Sequence, residues 1–303
     1  MAIGRALAVA SVSGFRKVET RYIYNPMIGV FDSGFGGLTI LRVLKRLPHD
    51  FVYFGDNARA PYGTRPGSEI VDLTRSATER LFDMGCRLVI IACNTASSVA
   101  LRRLQQQWLP HRKGPRVNIL GIVVPTIEKA TGVAWAETAP RSDLEDRHEV
   151  AVFATARTVE SQVYPIEIAK RRPDIIVHQE ACPGLASAIE AGADPGQLKA
   201  IVTLHVEALA ERLDGRLPRR AILGCTHYPL VADFFAAALG PKVEIIDQPN
   251  AVAASLAAYL ERHPEYVDRP ARGVCRFLST GWQDAALAHA ETFWGERLIF
   301  EPI

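Results

Sequence analysis

The sequence predicts an α/β protein of two similar lobes, each a mainly parallel sheet flanked by helices, with the active site in the cleft between them. Two observations carry this prediction. From Met27 onward, short β-branched runs alternate with longer amphipathic segments, the pattern of parallel strands joined by helices. The strand ends of the first half also resemble those of the second half. We therefore expect two α/β units that face each other.

Eight strands are predicted where short apolar runs are bounded by polar or turn residues. They are 28–31, 51–55, 88–92, 118–123, 150–154, 175–178, 220–223 and 243–246. Six helices are predicted where apolar residues recur at helical spacing between these runs. They are 38–46, 69–84, 96–108, 161–171, 197–213 and 251–262.

The chain divides into an extension and two lobes. Residues 1–26 contain only a short apolar stretch that soon meets charges, so we expect a loosely ordered extension rather than a signal peptide. The first lobe is predicted to comprise 27–119 together with 248–303, and the second to comprise 120–247. The polar segment 131–147 lacks periodicity and is predicted to be a surface insertion.

Composition excludes several classes of function. The chain has 303 residues, 48% of them hydrophobic, which is enough for real cores. A net charge of only +2 gives no strong field for nucleic acid or an anionic membrane. No apolar run reaches the roughly 20 residues that cross a bilayer. Five scattered cysteines, without a C-x-x-C pair or zinc-ligand spacing, indicate a reduced, cytoplasmic protein without a metal site.

Two pairs of strand ends carry the internal repeat. One first-half strand ends in Asp32 and Ser33, and its counterpart in the second half ends before Thr155. Another first-half strand ends at Cys93, and its counterpart ends at Cys225. In open parallel sheets, ligands bind beyond the carboxyl ends of the strands. We therefore expect the two cysteines on opposite sides of one cleft.

Cys93 and Cys225 are the candidate acid/base groups. One cysteine at the end of an apolar strand is usually an inert core residue, but two in matching positions suggest a function. Cys93 precedes a predicted helix, whose free N–H groups are expected to lower the pKa of the thiol and favour the thiolate. His227 follows Cys225 closely and is a candidate to handle a proton.

Two opposed thiols suit the inversion of a carbon centre, because one removes a proton while the other returns a proton to the opposite face. Pyridoxal phosphate is the usual alternative for an amino acid, and it requires a Schiff-base lysine. None of the seven lysines lies in the strand-end cluster, so we expect a cofactor-free reaction. The developing carbanion then needs hydrogen-bond donors near the substrate carboxylate. The candidate donors are Ser33, Asn94, Thr95, Thr155 and Thr226.

Other candidate residues lie in two loops and one helix. Asp32 stands in a glycine-rich turn that matches neither nucleotide-binding motif, so it either binds a ligand's charged group or caps the following helix. The turn Pro61, Tyr62 and Gly63 can offer backbone N–H groups and a tyrosine wall to a substrate. Glu190 is a solvated helix residue unless it faces the site.

Four motifs resemble those of the glutamate racemases, within the aspartate/glutamate racemase family. The motifs are Asp32-Ser33-Gly34, Pro61-Tyr62-Gly63, Ala92-Cys-Asn-Thr-Ala96 and Gly224-Cys-Thr-His-Tyr-Pro229. The wider family shares the cysteine motifs, and the other two indicate the glutamate branch. The resemblance runs from about Met27 to the end of the chain. It implies two α/β lobes, often in homodimers, and cofactor-independent racemisation of L-glutamate to D-glutamate for peptidoglycan.

The resemblance also implies a role for each site residue. Cys93 and Cys225 would be the acid/base thiols, with Cys93 acting on the D form and Cys225 on the L form. Asp32, His227 and Glu190 would assist proton transfer. The residues expected to bind substrate are Asp32, Ser33, Pro61, Tyr62, Gly63, Asn94, Thr95, Thr155, Thr226 and His227.

Three other functions stay open at this point. The chain could be an aspartate racemase, or a non-catalytic protein that binds an amino acid on the same scaffold. A thiol redox protein is the third alternative. It is disfavoured because redox cysteine pairs usually share a short motif, whereas Cys93 and Cys225 lie far apart in the sequence.

Overall fold

The fold is that of a computed structural model, which describes residues 27–134, 137, 149–267, 270–281 and 290–301. The predicted extension at 1–26 and most of the predicted insertion at 131–147 lie outside the described residues. In the part of the chain that is described, no helix combines the length and apolarity needed to span a membrane.

Nine strands in the described residues form two sheets. They are β1 (Ile28–Asp32), β2 (Phe51–Gly55), β3 (Leu88–Ile91), β4 (Asn118–Gly121), β5 (Glu149–Ala154), β6 (Ile176–Ala181), β7 (Arg220–Gly224), β8 (Glu244–Ile246) and β9 (Cys275–Ser279). The first sheet has the order β4-β3-β1-β2-β9, and the second has the order β6-β5-β7-β8. Every pairing between these strands is parallel. The predicted α/β class with two parallel sheets is confirmed, whereas the lobe boundaries stay a prediction.

Helices flank the sheets and connect their strands. They are α1 (Leu38–Leu44), α2 (Gly67–Asp83), α3 (Asn94–Val99), α4 (Leu101–Arg103), α5 (Val123–Thr131), α6 (Ala156–Glu160), α7 (Val163–Arg171), α8 (Leu185–Glu190), α9 (Pro195–Arg212), α10 (Ala232–Leu239) and α11 (Gln248–Arg262). Parallel strands need such crossovers, because the chain must return to the same end of the sheet.

The two sheets share one apolar core. Alternate side chains of a strand point to opposite faces, so Val30 of β1 packs in this shared core while Phe31 packs on the α2 side. The same core contains Phe153 of β5 and Phe235 of α10, whose ring centroids lie 5.1 Å apart. This continuous apolar cluster therefore packs the two sheets together.

The strand order places the candidate residues at corresponding positions. β1 lies beside β3, and β5 lies beside β7, each pair in parallel register. Ser33 and Cys93 therefore leave the first sheet side by side at its carboxyl edge. Thr155 and Cys225 leave the second sheet in the same way.

The predicted strand 118–123 is wrong in its last two residues. β4 ends at Gly121, and Val123 begins α5. The β-branched run concealed this helix start, where Pro125 fits because the first helical turn needs no N–H donor. Thr131, taken as the first residue of a surface insertion, is the buried last residue of α5.

The predicted helix 96–108 begins earlier than expected, at Asn94, and it is not continuous. α3 ends at Val99, and α4 with a π-helical turn continues the segment to Trp108. Cys93 therefore directly precedes the first helical residue.

The strand β9 was not predicted. It runs parallel to β2 at the edge of the first sheet. Arg276 interrupts its apolar run and forms an ion pair with Glu301. Cys275, its first residue, is only partly buried.

Two leucines on α9 test the packing of the second lobe. Leu209 is 1% exposed and Leu204 is 63% exposed, although both lie on the same helix. Leu209→Ala should lower the free energy of unfolding by about 2–5 kcal/mol, because it removes buried surface and leaves a cavity. The matched control, Leu204→Ala, should change it by less than about 0.5 kcal/mol. Urea unfolding followed by circular dichroism measures both, and equal losses would contradict this packing.

Candidate active site

Cys93 lies where β3 ends and α3 begins. Its Sγ accepts a hydrogen bond from the backbone N–H of Ala96 at 3.4 Å, so the thiol caps the helix. Ser33 Oγ lies 3.3 Å from the same sulfur. The residue is only 5% exposed. The thiol is thus hydrogen-bonded and largely removed from water.

Burial, together with the charge of the neighbouring Asp32, raises the pKa of the Cys93 thiol to about 12. The hydrogen bonds from Ser33 and Ala96 lower this pKa but do not outweigh burial. The prediction that the helix start lowers the pKa of Cys93 is therefore wrong. With the raised pKa, Cys93 is protonated at neutral pH. Cys225 also raises this pKa, which places the two sulfurs within electrostatic reach of each other.

A second cluster follows β7 in the other lobe. Cys225 Sγ lies 3.5 Å from His227 Nδ1. The other ring nitrogen, Nε2, lies 2.7 Å from Oε1 of Glu190, the last residue of α8. The ring of Phe293 packs edge-on against the imidazole at 5.3 Å between centroids. Glu190 thus faces the cluster, which its sequence position alone did not indicate.

The environment of His227 favours its charged form. Burial by itself lowers the pKa of the imidazole, but Cys225 and Glu190, through charge and hydrogen bonding, raise it well above its ordinary value. The imidazolium then lies between a sulfur and a carboxylate.

Asp32 connects the two lobes. Its Oδ1 accepts a hydrogen bond from the Gly34 N–H at 2.7 Å, and its Oδ2 accepts one from Thr226 Oγ1 at 3.3 Å. Burial raises the pKa of Asp32, although the charge of His227 opposes this effect. The carboxyl group therefore both shapes its own turn and reaches the second lobe.

Two glycines let the first-lobe turn approach the second lobe closely. A Cβ at Gly34 would lie 2.5 Å from Glu190 Oε1, and a Cβ at Gly36 would lie 2.4 Å from Thr226 Oγ1. Real Cβ atoms do not approach other atoms so closely. The glycines of this turn thus serve the contact between lobes, and not a phosphate site.

Three threonine hydroxyls form a bridge between the lobes. Thr95 Oγ1 lies 3.0 Å from Thr155 Oγ1, which lies 3.1 Å from Thr158 Oγ1. Thr158 is buried and was not among the predicted residues. The signal that could have found it is its position three residues after Thr155, whose side chain caps α6. A Cβ at Gly63 would lie 3.0 Å from Thr155 Cβ, so the Tyr62 turn borders this bridge.

The Tyr62 side chain is engaged within its own lobe. Its hydroxyl donates a hydrogen bond to Asp56 Oδ2 at 2.6 Å, and its ring packs against Phe31. Tyr62 is buried, whereas Pro61 beside it is exposed. Because the Tyr62 hydroxyl is hydrogen-bonded to Asp56, the turn faces the threonine bridge with its backbone at Gly63.

The side chain of Asn94 is hydrogen-bonded through both its oxygen and its nitrogen. Its Oδ1 accepts hydrogen bonds from Tyr164 Oη at 2.9 Å and from Gln248 Nε2 at 3.1 Å. Its Nδ2 donates to Gln248 Oε1 at 2.8 Å. The predicted contact of Asn94 with substrate stays a prediction.

The predicted residues thus converge at the junction of the lobes. Besides the contacts above, Thr39 Oγ1 of the first lobe donates to the Thr226 carbonyl of the second at 3.1 Å. Within the ranges that the structure describes, no group of three or more His, Cys, Asp or Glu side chains is arranged to hold a metal ion. The arrangement offers two thiols, one imidazole–carboxylate pair and several hydroxyl donors to a small polar ligand.

Comparison with known proteins supports the resemblance. The family model for Asp/Glu/Hydantoin racemase matches residues 39–257. The glutamate racemase of Phenylobacterium zucineum is 55% identical over 282 residues, which cover 91% of this chain and 99% of that protein.

Solved structures show the same fold. A glutamate racemase isoform from Bacillus anthracis superposes with a TM-score of 0.76 at 28% identity, covering 92% of this chain and 97% of the other. The Francisella tularensis glutamate racemase, solved in complex with D-glutamate, has a TM-score of 0.76 at 26% identity, with coverage of 92% and 96%. On the family match and these similarities, this chain belongs to the Asp/Glu/Hydantoin racemase family.

Proposed function

We propose that this chain is a glutamate racemase that interconverts L- and D-glutamate without a cofactor, using Cys93 and Cys225 as its acid/base groups. The observation that carries the proposal is the position of these thiols at corresponding strand ends of two facing lobes. Their electrostatic influence on each other supports a common site. The 55% identity to a glutamate racemase supports glutamate as the substrate.

In the proposed resting state, Cys93 is a thiol and Cys225 is a thiolate beside protonated His227. The raised pKa of Cys93 supports its thiol form, and the raised pKa of His227 supports the imidazolium. Cys225 Sγ takes the α-proton of L-glutamate, and the electron pair of the broken C–H bond delocalises into the α-carboxylate. Cys93 then gives its proton to the opposite face and becomes the thiolate. The product is D-glutamate, and the exchanged protonation states are those needed for the reverse reaction.

Neighbouring groups would bind the charged ends of glutamate. The Asp32 carboxylate suits the ammonium group, and the hydroxyl groups of the junction suit the carboxylates. The hydroxyl donors are Ser33, Thr95, Thr155 and Thr226. Protonated His227, paired with the Glu190 carboxylate, would lie beside Cys225 while that thiol exchanges the α-proton.

The wider setting of the reaction is part of the same proposal. D-Glutamate would supply peptidoglycan synthesis in the cytoplasm, and the protein would act as a homodimer. Depletion of the protein should then cause a requirement for external D-glutamate.

Light scattering on the purified chain should give twice the 33.3 kDa chain mass.

Exchange of the substrate α-proton tests the proposed activity. Dialysed protein in deuterated water should racemise L-glutamate, seen as a decaying circular dichroism signal, and should place deuterium at the α-carbon. The same assay with L-aspartate tests the alternative function, since racemisation of aspartate instead of glutamate would indicate an aspartate racemase. Stabilisation of the folded protein by glutamate without any exchange would contradict the proposal and favour a non-catalytic binding protein.

Removal of either thiol tests the two-base scheme. Cys93→Ala and Cys225→Ala should each lower the racemisation rate by about 10²–10⁴-fold, because each removes one acid/base group. The matched control is Cys86→Ala, which removes an equally buried thiol outside the site and should keep near-normal activity. Coupled kinetic assays and circular dichroism of the fold measure these outcomes. Substantial turnover in either site variant would count against two bases.

The same variants should separate the two faces of the substrate. Cys93→Ala keeps Cys225 and should still exchange the α-proton of L-glutamate. Cys225→Ala keeps Cys93 and should still exchange that of D-glutamate. Proton NMR in deuterated water records each exchange. If both variants exchange the same enantiomer, the assignment of one thiol to each face is wrong.

Glu190 should control the protonation of His227. Its carboxylate is one cause of the raised pKa of His227, so Glu190→Gln should lower that pKa. Nitrogen NMR titration of the imidazole measures the change. The matched control, Glu265→Gln, removes a carboxylate 3.2 Å from His263 at the surface and should leave His227 unaffected. An unchanged or raised pKa of His227 in Glu190→Gln would contradict the proposed pairing.

A further inference from the structure

We propose that Gln248 is a positioning residue for Cys93 and that it acts through Asn94. The inference rests on the proposed racemisation, because it assigns a role in the Cys93 half of that reaction. Gln248 is the first residue of α11, directly beyond β8, where the chain returns from the second sheet to the first lobe. It is 2% exposed, although glutamine is ordinarily a surface residue.

The amide of Gln248 forms a complementary pair with that of Asn94. Gln248 Oε1 accepts from Asn94 Nδ2 at 2.8 Å, while Gln248 Nε2 donates to Asn94 Oδ1 at 3.1 Å. Nε2 also donates to Thr126 Oγ1 at 2.8 Å. Both ends of the Gln248 amide therefore have partners inside the protein, and its orientation is fixed by three hydrogen bonds.

These contacts connect the two places where the chain passes between the sheets. Thr126 lies on α5, which follows β4 on the way to the second sheet, and Gln248 lies on the return path. The Thr126 hydroxyl donates in turn to the Ile122 carbonyl at 2.7 Å. Tyr164 of the second lobe completes the network through its bond to Asn94. The network thus ties both connections to the residue beside Cys93.

The position of Asn94 makes this network relevant to the thiol. Asn94 is the first residue of α3, and Cys93 is its cap, so a shift of Asn94 moves the Cys93 sulfur. Loss of the Gln248 amide would leave Asn94 Nδ2 buried without the partner it has here. A buried unsatisfied donor is costly, and the start of α3 would move to reach water or another acceptor. Among the described residues, no hydrogen bond of this network reaches Cys225 or His227.

The decisive variant is Gln248→Leu, which keeps the approximate size of the side chain and removes its polar atoms. We expect kcat to fall by about 10–100-fold in both directions, because a displaced thiol reacts poorly. KM should change less than about threefold, because the hydroxyls of Thr155 and Thr226 lie outside α3 and stay in place. Differential alkylation with iodoacetamide, read by peptide mass spectrometry, gives the second readout. The Cys93 peptide should be labelled about tenfold faster, since a loosened helix start lets water reach the thiol. The Cys225 peptide should change less than about twofold.

A variant of the same helix is the matched control. Tyr259→Phe, also on α11, removes the hydrogen bond from Asn118 Nδ2 to the Tyr259 hydroxyl at 2.7 Å without contact to Asn94. It should leave kcat and both labelling rates within about twofold of the original chain. If Gln248→Leu does not fold, Gln248→Glu replaces it, because it keeps the acceptor for Asn94 Nδ2 and loses both donor bonds. The same selective effect on Cys93 is then expected.

The outcomes separate the two proposals. An original chain that does not racemise glutamate would defeat the proposed function. An active original chain whose folded Gln248 variants behave like Tyr259→Phe would overturn the positioning role alone. Equal changes in the labelling of Cys93 and Cys225 would also overturn it, since they would indicate a general loosening of the lobes.

Discussion

The parallel register of the central strands is the constraint on which the candidate site depends. Because β1 lies beside β3 and β5 beside β7, the residues beyond each pair emerge at one edge of their sheet. The shared apolar core packs the two sheets together, and hydrogen bonds such as that from Thr226 to Asp32 join their edges. Cys93 and Cys225 reach a common junction only because both conditions hold.

The two thiols are equally buried but have different neighbours. Cys93 is buried against Ser33 and near Asp32, and its pKa rises. Cys225 lies instead beside an imidazole that Glu190 helps to keep charged. The proposed two-base reaction needs one proton on one thiol and none on the other, and the raised pKa of Cys93 fits the protonated member of the pair. The two lobes have similar folds, but the groups beside their thiols differ, with Ser33 beside Cys93 and His227 beside Cys225.

Local sequence patterns predicted the strand ends but not what surrounds them. Polar residues directly after apolar runs indicated Asp32 and Cys93, whereas the sign of the Cys93 pKa shift depends on burial by residues distant in the sequence. Glu190 meets His227 through tertiary packing, for which no local spacing gives a signal. In the sequence, Gln248 looks like an ordinary glutamine at a helix start, because its amide partner Asn94 is 154 positions away. Edge strand β9 and helix α5 were missed for a related reason, since a charge or a β-branched run obscured their periodicity.

A crystal structure of the chain with bound glutamate tests the central claim most directly. The account predicts one sulfur on each face of the α-carbon, both near the approach distance of about 3–3.5 Å expected for reacting atoms. Two sulfurs on one face, or either one separated from the α-carbon by another side chain, would contradict it.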